Sequence, residues 1–513
     1  MTNLSENTVT VGAAPLRADQ VLAASQRCVA VRLDPSPEFR ARIERGAAFL
    51  DRLLAEDGAI YGVTTGYGDS CTVAIPSELV PELPQHLYTF HGCGLGRWLT
   101  PEETRAVLIT RLNSLAQGFS GVSWELLVQI ETLLAEDILP KIPAEGSVGA
   151  SGDLTPLSYV AAALCGEREV WVKGEFRPTA EVFAERGIRP LRLRPKEGLA
   201  IMNGTAVMTA LACLALARAE YLAQLSTRMT SLACLALDGN ANHFDETLFS
   251  VKPHVGMQRV AARIRGDLAS GRPPRNENRI QDRYSIRCAP HVIGVLEDAL
   301  PFLRTTIENE LNSANDNPII DPDGEKVLHG GHFYGGHIAF AMDSLKNLVA
   351  NLADLMDRQM ALLADARFNQ GLPANLSGAT GPRAAINHGL KALQIALSAW
   401  TAEALKGTMP ASVFSRSTEC HNQDKVSMGT IAARDCLRVL ELTEQVAVGL
   451  LVAVRQGLAL RRARRSVALT ETLAAFAAGL EELIPFIDED RALDGELRAL
   501  LNALRARQWK LYD

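Results

Sequence analysis

The chain predicts a mostly α fold, and three observations carry that expectation. Aromatic residues are only 5% of the 513 residues, while alanine and leucine abound. That composition suits packed helices better than a sandwich of sheets. Apolar residues recur at helical spacing over long stretches, and helix start and stop signals flank several of them.

In chain order, Thr100 predicts a helix cap, with Pro101 at the first helical position and Glu103 closing a capping box. Leu108, Leu112 and Leu115 then share a face, and Gly118 offers a stop. Ser123 opens another helix, with Leu127, Ile130, Leu134 and Ile138 in register and Pro140 just beyond. Thr155 and Pro156 read as the cap and start of a third. Short strands are expected over 169–173 and 326–329, the second beside the turn Asp321-Pro-Asp-Gly324. Over 206–238 the chain is apolar nearly all round, which predicts a helix buried on several sides. Long helices are expected over 344–364 and 431–459, and an amphipathic pair over 471–511. A soft boundary near residue 205 divides an N-terminal domain, 1–205, from a long-helix domain, 206–513.

The balance of 52 basic to 59 acidic residues gives a net charge of −7. This lacks the basic excess of a nucleic-acid-binding protein. The nine cysteines include no C-x-x-C pair, and are read as buried free thiols in a reducing compartment. Met1-Thr-Asn-Leu-Ser-Glu has neither a basic n-region nor an apolar h-region. The longest apolar runs, 206–217 and 446–454, are too short for a bilayer. The expectation is a cytoplasmic protein with no membrane partner, whose sequons at Asn3, Asn203 and Asn375 stay unglycosylated.

The chemistry centres on Ala150-Ser151-Gly152, set in Gly146-Ser147-Val148-Gly149-Ala150-Ser151-Gly152-Asp153-Leu154. Glycines let this backbone fold sharply, and the Gly152 amide can approach the Ala150 carbonyl carbon. Ring closure and loss of two waters would give 4-methylideneimidazol-5-one, an electrophile no ordinary side chain provides. A hydrolase nucleophile elbow does not fit, because Asp153 stands where that motif needs glycine.

The run Gly149-Ala-Ser-Gly-Asp-Leu-Thr-Pro-Leu-Ser158 resembles the signature of the aromatic amino acid ammonia-lyases and related aminomutases. Four more segments agree in the family's order. They are Tyr61-Gly-Val-Thr-Thr-Gly-Tyr-Gly68, Glu197-Gly-Leu-Ala-Ile-Met-Asn-Gly-Thr205, Gln281-Asp-Arg-Tyr-Ser-Ile-Arg287 with Asn312-Ser-Ala-Asn-Asp-Asn-Pro318, and His421-Asn-Gln-Asp424. The resemblance implies a fumarase/aspartase-like fold: a central long-helix bundle and a smaller N-terminal domain carrying the electrophile. It also implies a homotetramer with active sites built from three subunits.

The resemblance further implies roles. Tyr61 would be the base that removes the β-proton; helix N-termini aimed at it could lower its pKa. Asn203 would bond the ring carbonyl, as an oxyanion donor does. Tyr284 would stand near the electrophile, and Arg287 would grip the substrate carboxylate in a two-point fork. Gln281, Asn315, Phe333 and Asn422 match pocket positions. Tyr67 replaces the family's usual phenylalanine. The glycine-rich turn His329-Gly-Gly-His332-Phe-Tyr-Gly-Gly-His337 only superficially resembles a metal site, and no nucleotide-binding glycine motif stands between a strand and a helix. No metal and no nucleotide cofactor are expected.

Two places bear on the substrate. Histidine enzymes of the family carry glutamate where this chain has Gln423; phenylalanine and tyrosine enzymes carry glutamine. The pair Phe90-His91 departs from the common selectivity pairs, with an apolar wall at Phe90 and a partner for a phenol at His91. The expected order of substrates is tyrosine, then phenylalanine, then histidine. An aromatic 2,3-aminomutase using the same adduct is the alternative outcome.

Overall fold

The structure, a computed structural model, describes residues 8–56 and 60–512. The stretch read for a leader, Met1 to Glu6, and the Asn3 sequon lie outside the described residues. Helices dominate, and the described strands form four small sheets of two or three strands each.

The chain divides into two compact units. One comprises Met1–Ala217, Arg304–Asp343 and Pro410–Arg434; the other comprises Arg218–Leu303, Ser344–Met409 and Asp435–Asp513. The expected division at 205 therefore differs beyond the first segment. Two later stretches return to the first unit because they bond its turns: Asn315 to Thr205, and Met428 to Val148.

Within the first unit the helix Pro101–Leu115 carries the expected capping box. Thr100 Oγ1 accepts from the Glu103 amide at 3.2 Å, and Glu103 Oε2 accepts from the Thr100 amide at 2.8 Å. Leu108, Leu112 and Leu115 are fully buried. Ser123 caps Trp124–Ala135. That helix stops short of Ile138, because Asp137 turns into the left-handed region (φ 53°) and the chain passes into the strand Leu139–Pro140. This strand pairs antiparallel with Glu169–Val172, which pairs in turn with Glu175–Pro178.

The third helix corrects the expectation at Thr155. It runs Leu154–Leu164, so Thr155 and Pro156 lie inside its first turn and Asp153 flanks it. The Asp153 carboxylate instead accepts from the amides of Val207 (3.0 Å) and Met208 (2.9 Å). It thus caps the long helix Ala206–Ala236, satisfying two amides with no partner inside the helix. Contrary to the expectation from its apolar runs, that helix is long and apolar enough to cross a membrane, its most apolar window having a mean hydropathy of 1.5. Its most apolar window is 89% buried, the packing of a core helix.

The two other long helices that the sequence predicts run Gly336–Ala364 and Gly429–Arg464, each starting before the expected residue; Ala289–Leu311 is a further long helix. The C-terminal pair is Glu471–Leu483 and Asp494–Arg505. In the second unit, buried Arg228 ties the chain end down. It donates to Asp267 Oδ1 and to the Leu511 carbonyl, both at 2.6 Å. All nine cysteines are free, but only Cys213, Cys234 and Cys436 are buried. Cys28, Cys71, Cys93 and Cys420 are exposed, contrary to the expectation.

Candidate active site

The strand Pro143–Glu145 leads into the Ala150-Ser151-Gly152 turn and the helix Leu154–Leu164 leads out. Gly149, Ser151 and Gly152 all take left-handed backbone angles (φ 78°, 51° and 79°). Ser151 has a Cβ and holds this conformation against its steric preference. Gly152 has no alternative, since a Cβ there would stand 2.1 Å from the Gly204 carbonyl oxygen. The two glycines form a bridge. The Gly204 amide donates to Ser151 O at 3.2 Å, and the Asp153 amide donates to Gly204 O at 2.8 Å.

The Asn203 side chain also donates to Ser151 O, at 3.3 Å, so two donors converge on that carbonyl. The Asn203 Oδ1 is buried with no hydrogen-bond partner among the described residues. Behind it lies Arg111, fully buried, which donates to the carbonyls of Ala200 and, at 3.1 Å, Asn203. Burial pushes Arg111 down to about 10, opposed by the carboxylates of Asp316 and Asp153. Asp316 pairs with buried Lys196 at 2.6 Å. Asn315 is buried too. Its Oδ1 accepts from Ser114 Oγ (3.1 Å) and the Thr205 amide (3.4 Å). In this structure Asn315 braces the Gly204 loop rather than facing open space. The Asp153 carboxyl is pushed up by burial, against hydrogen bonds from Thr430, Met208, Ser147 and Val207.

Tyr61 opens a loop that returns on itself. Its Oη accepts from the Gly68 amide at 2.8 Å, and its ring meets that of His329 edge-on, with centroids 6.3 Å apart. The next amide, Asp69, donates to both oxygens of Glu419 at 2.9 and 3.1 Å. Burial pushes the Tyr61 phenol up; the Gly68 bond opposes this, and Glu419 and Cys71 add to it. Among these causes only the Gly68 amide acts in the expected direction, favouring the phenolate.

Phe90 and His91 end the helix Leu83–Phe90, their rings 4.3 Å apart. Phe90 is 59% exposed. His91 Nδ1 lies 2.9 Å from the Leu87 carbonyl, which can only accept, so Nδ1 carries the proton. Burial holds the imidazole pKa below its ordinary value, and the neutral ring keeps Nε2 as an acceptor. Ser158, on the helix after the turn, donates to the His91 carbonyl at 3.2 Å.

Gln423 touches the turn itself: its Nε2 donates to Ser151 Oγ at 3.0 Å. Asn422 is exposed, its amide bonded to the Glu419 carbonyl at 2.9 Å. Phe333 is half-buried in the histidine-rich turn. Among the described residues no group of three or more His, Cys, Asp or Glu side chains is placed to hold a metal. Gln281, Tyr284 and Arg287 lie in the second unit. Gln281 is exposed and Tyr284 is 72% exposed. Arg287 stacks on the Tyr284 ring at 4.6 Å and donates through Nε to the Asp282 carbonyl at 3.0 Å. Its two Nη nitrogens keep no hydrogen-bond partner among the described residues.

Asp153, Arg111, Lys196, Asp316 and Glu419 are the residues that motif reading passes over. Asp153 follows the Ala-Ser-Gly signature directly and carried a local signal. Asp316 lies within the Asn312–Pro318 segment, whereas Arg111, Lys196 and Glu419 are joined to the site only by contacts between distant segments.

The sequence matches the aromatic amino acid lyase family over residues 16–479. It is 37% identical over 472 residues to a histidine ammonia-lyase of Bacillus velezensis, covering 92% of this chain and 91% of that protein. A tyrosine aminomutase structure from Streptomyces globisporus superposes with a TM-score of 0.91 at 32% identity, covering 98% of this chain and 97% of the other. A histidine ammonia-lyase structure from Trypanosoma cruzi gives 0.89 at 31% identity, covering 98% and 94%. With the helical fold and the Ser151 turn described, these likenesses place the chain in the aromatic amino acid ammonia-lyase family.

Proposed function

We propose that the protein is a cytoplasmic homotetramer that eliminates ammonia from L-tyrosine to give trans-4-hydroxycinnamate. The observation that carries tyrosine is the His91 tautomer. With Nδ1 committed to the Leu87 carbonyl, Nε2 is an acceptor beside the exposed Phe90 ring. A phenol hydroxyl is the donor such a group takes, and Phe90 offers an apolar wall to an aromatic ring.

The turn fits the methylideneimidazolone that the family uses. Only glycine fits at 152, and two N–H donors already converge on the Ser151 carbonyl. Once formed from Ala150, Ser151 and Gly152, the group supplies an electrophile for the substrate amine and a sink for the electrons of the C–N bond. Asn203 and Gly204 favour negative charge on that carbonyl oxygen. Tyr61 takes the β-proton at Oη, where the Gly68 amide favours the phenolate. Arg287 offers its unpaired Nη edge to the substrate carboxylate, and Tyr284 packs beside it. Phe333, Gln281 and Asn422 are further pocket residues in this reading, and Asn315 supports the turn by bracing the Gly204 loop. Subunits of the tetramer share these residues.

The test is kcat/KM for tyrosine, phenylalanine and histidine, read as the arylacrylate absorbance. Chromatography of the products for the β-amino acid separates a lyase from an aminomutase. Tyrosine is expected to lead, with the acrylate as product. A second reading, histidine ammonia-lyase, is favoured by the relatives that carry that name and by Glu419, an anion near Tyr61 that suits an imidazole.

A further inference from the structure

We infer that Gln423 holds the Ser151 hydroxyl during maturation of the Ala150-Ser151-Gly152 turn, and becomes a free donor in the site once that hydroxyl has left. This inference rests on the proposed reading of the turn as the precursor of the electrophile.

The Gln423 carboxamide is engaged at both ends. Nε2 donates to Ser151 Oγ at 3.0 Å, and Oε1 accepts from Thr418 Oγ1 at 3.1 Å. The backbones of the same two residues clamp each other, Thr418 N to Gln423 O at 3.0 Å and Gln423 N to Thr418 O at 3.3 Å. Between them Glu419, Cys420 and His421 all take left-handed angles (φ 48°, 53° and 64°). Non-glycine residues rarely adopt that region, so three in succession persist only under constraint from their surroundings. Farther along, the Met428 amide donates to the Val148 carbonyl at 2.9 Å. One segment thus grips the turn at Ser151 and at Val148, and Gln423 is its contact with the reacting hydroxyl.

The chemistry gives that contact a task. Cyclisation forms a bond from Gly152 N to the Ala150 carbonyl carbon. The Ala150 oxygen leaves as water with the hydrogens of Gly152 N and Ser151 N. In the second dehydration the Ser151 Cα proton is lost and the Cβ–Oγ bond breaks. Oγ leaves as water with its own hydrogen and that proton. A donor on Oγ fixes the hydroxyl in one rotamer and stabilises charge on the departing oxygen. Afterwards Oε1 is still held by Thr418, while Nε2 has lost its acceptor. The amide that served the serine is then open to the substrate.

The test is the rate at which newly made, folded protein loses two water masses, followed by intact mass after a pulse of expression. Gln423→Leu keeps the bulk and removes the bond; it should slow maturation about 10-fold, the worth of one such hydrogen bond. Gln423→Glu keeps the shape of the side chain but, as a carboxylate, cannot donate to Oγ, and should mature as slowly as the leucine variant. Maturation of folded Gln423→Leu at the wild-type rate overturns the inference, as does a folded Gln423→Glu protein that matures as fast as wild type. If Gln423→Leu does not fold, Thr418→Val decides, because it frees the far end of the amide. Slower maturation supports the inference, and an unchanged rate overturns it. A wild-type protein that never loses the two waters refutes the underlying reading of the turn instead.

Discussion

Tyr61 and His91 make opposite electrostatic demands, and each yields a measurement. Tyr61 is pushed up by burial and by Glu419, so at neutral pH the phenol is mostly protonated. A base with a raised pKa gains its active form as pH rises. The kcat/KM should therefore climb about tenfold per unit from neutrality towards about pH 10. A plateau already reached near neutrality would point to another base. Tyr61→Phe should lower kcat at least ~10²-fold while leaving a folded protein. His91→Leu removes the Nε2 acceptor; the tyrosine hydroxyl then loses a partner at about 1–3 kcal/mol, and the kcat/KM ratio moves towards phenylalanine. An unchanged ratio would mean that His91 does not read the ring substituent. At this scale the motifs were informative. Ser151, Asn203 and Gln423 come from three separate motifs and meet in hydrogen-bond contact. Arg111 and Glu419 were not legible, because an arginine inside a helix or an acid in a loop carries no local sign of what it will face.

Helix caps show both how far local sequence reaches and where it stops. Thr100 and Ser123 cap the helices they precede, because each bonds amides within three residues of itself. Thr155 and Pro156 offer the same local signals yet lie within the first turn, since Asp153 sets the turn and caps a different helix. A cap reaching across more than fifty residues leaves no trace in any short window. The contrast has a cost that can be measured. Asp153→Ala leaves the Val207 and Met208 amides and the Thr430 hydroxyl without their buried acceptor. It should lower stability by about 3 kcal/mol or more. Thr100→Ala should cost only about 1 kcal/mol. Comparing thermal unfolding midpoints of the two variants checks the order, and equal shifts would contradict it.

At the scale of the whole molecule, the helical class follows from composition and periodicity, but the division into units does not. Segments 304–343 and 410–434 join the first unit through contacts that sequence order hides. The proposed sharing of sites between subunits has its own test. Co-expressing Tyr61→Phe with Arg287→Ala should restore part of the activity that each variant lacks alone, because a mixed tetramer then holds some sites with both residues intact. No recovery in verified mixed tetramers would place both residues on one chain. The central claim is that the chain makes its own electrophile at Ala150-Ser151-Gly152. Intact mass of the purified protein, read beside activity, tests it most directly. Active wild type should be lighter than its sequence by two water masses, and folded Ser151→Ala should show the full sequence mass and almost no turnover. Wild type of full sequence mass with full activity would contradict the claim.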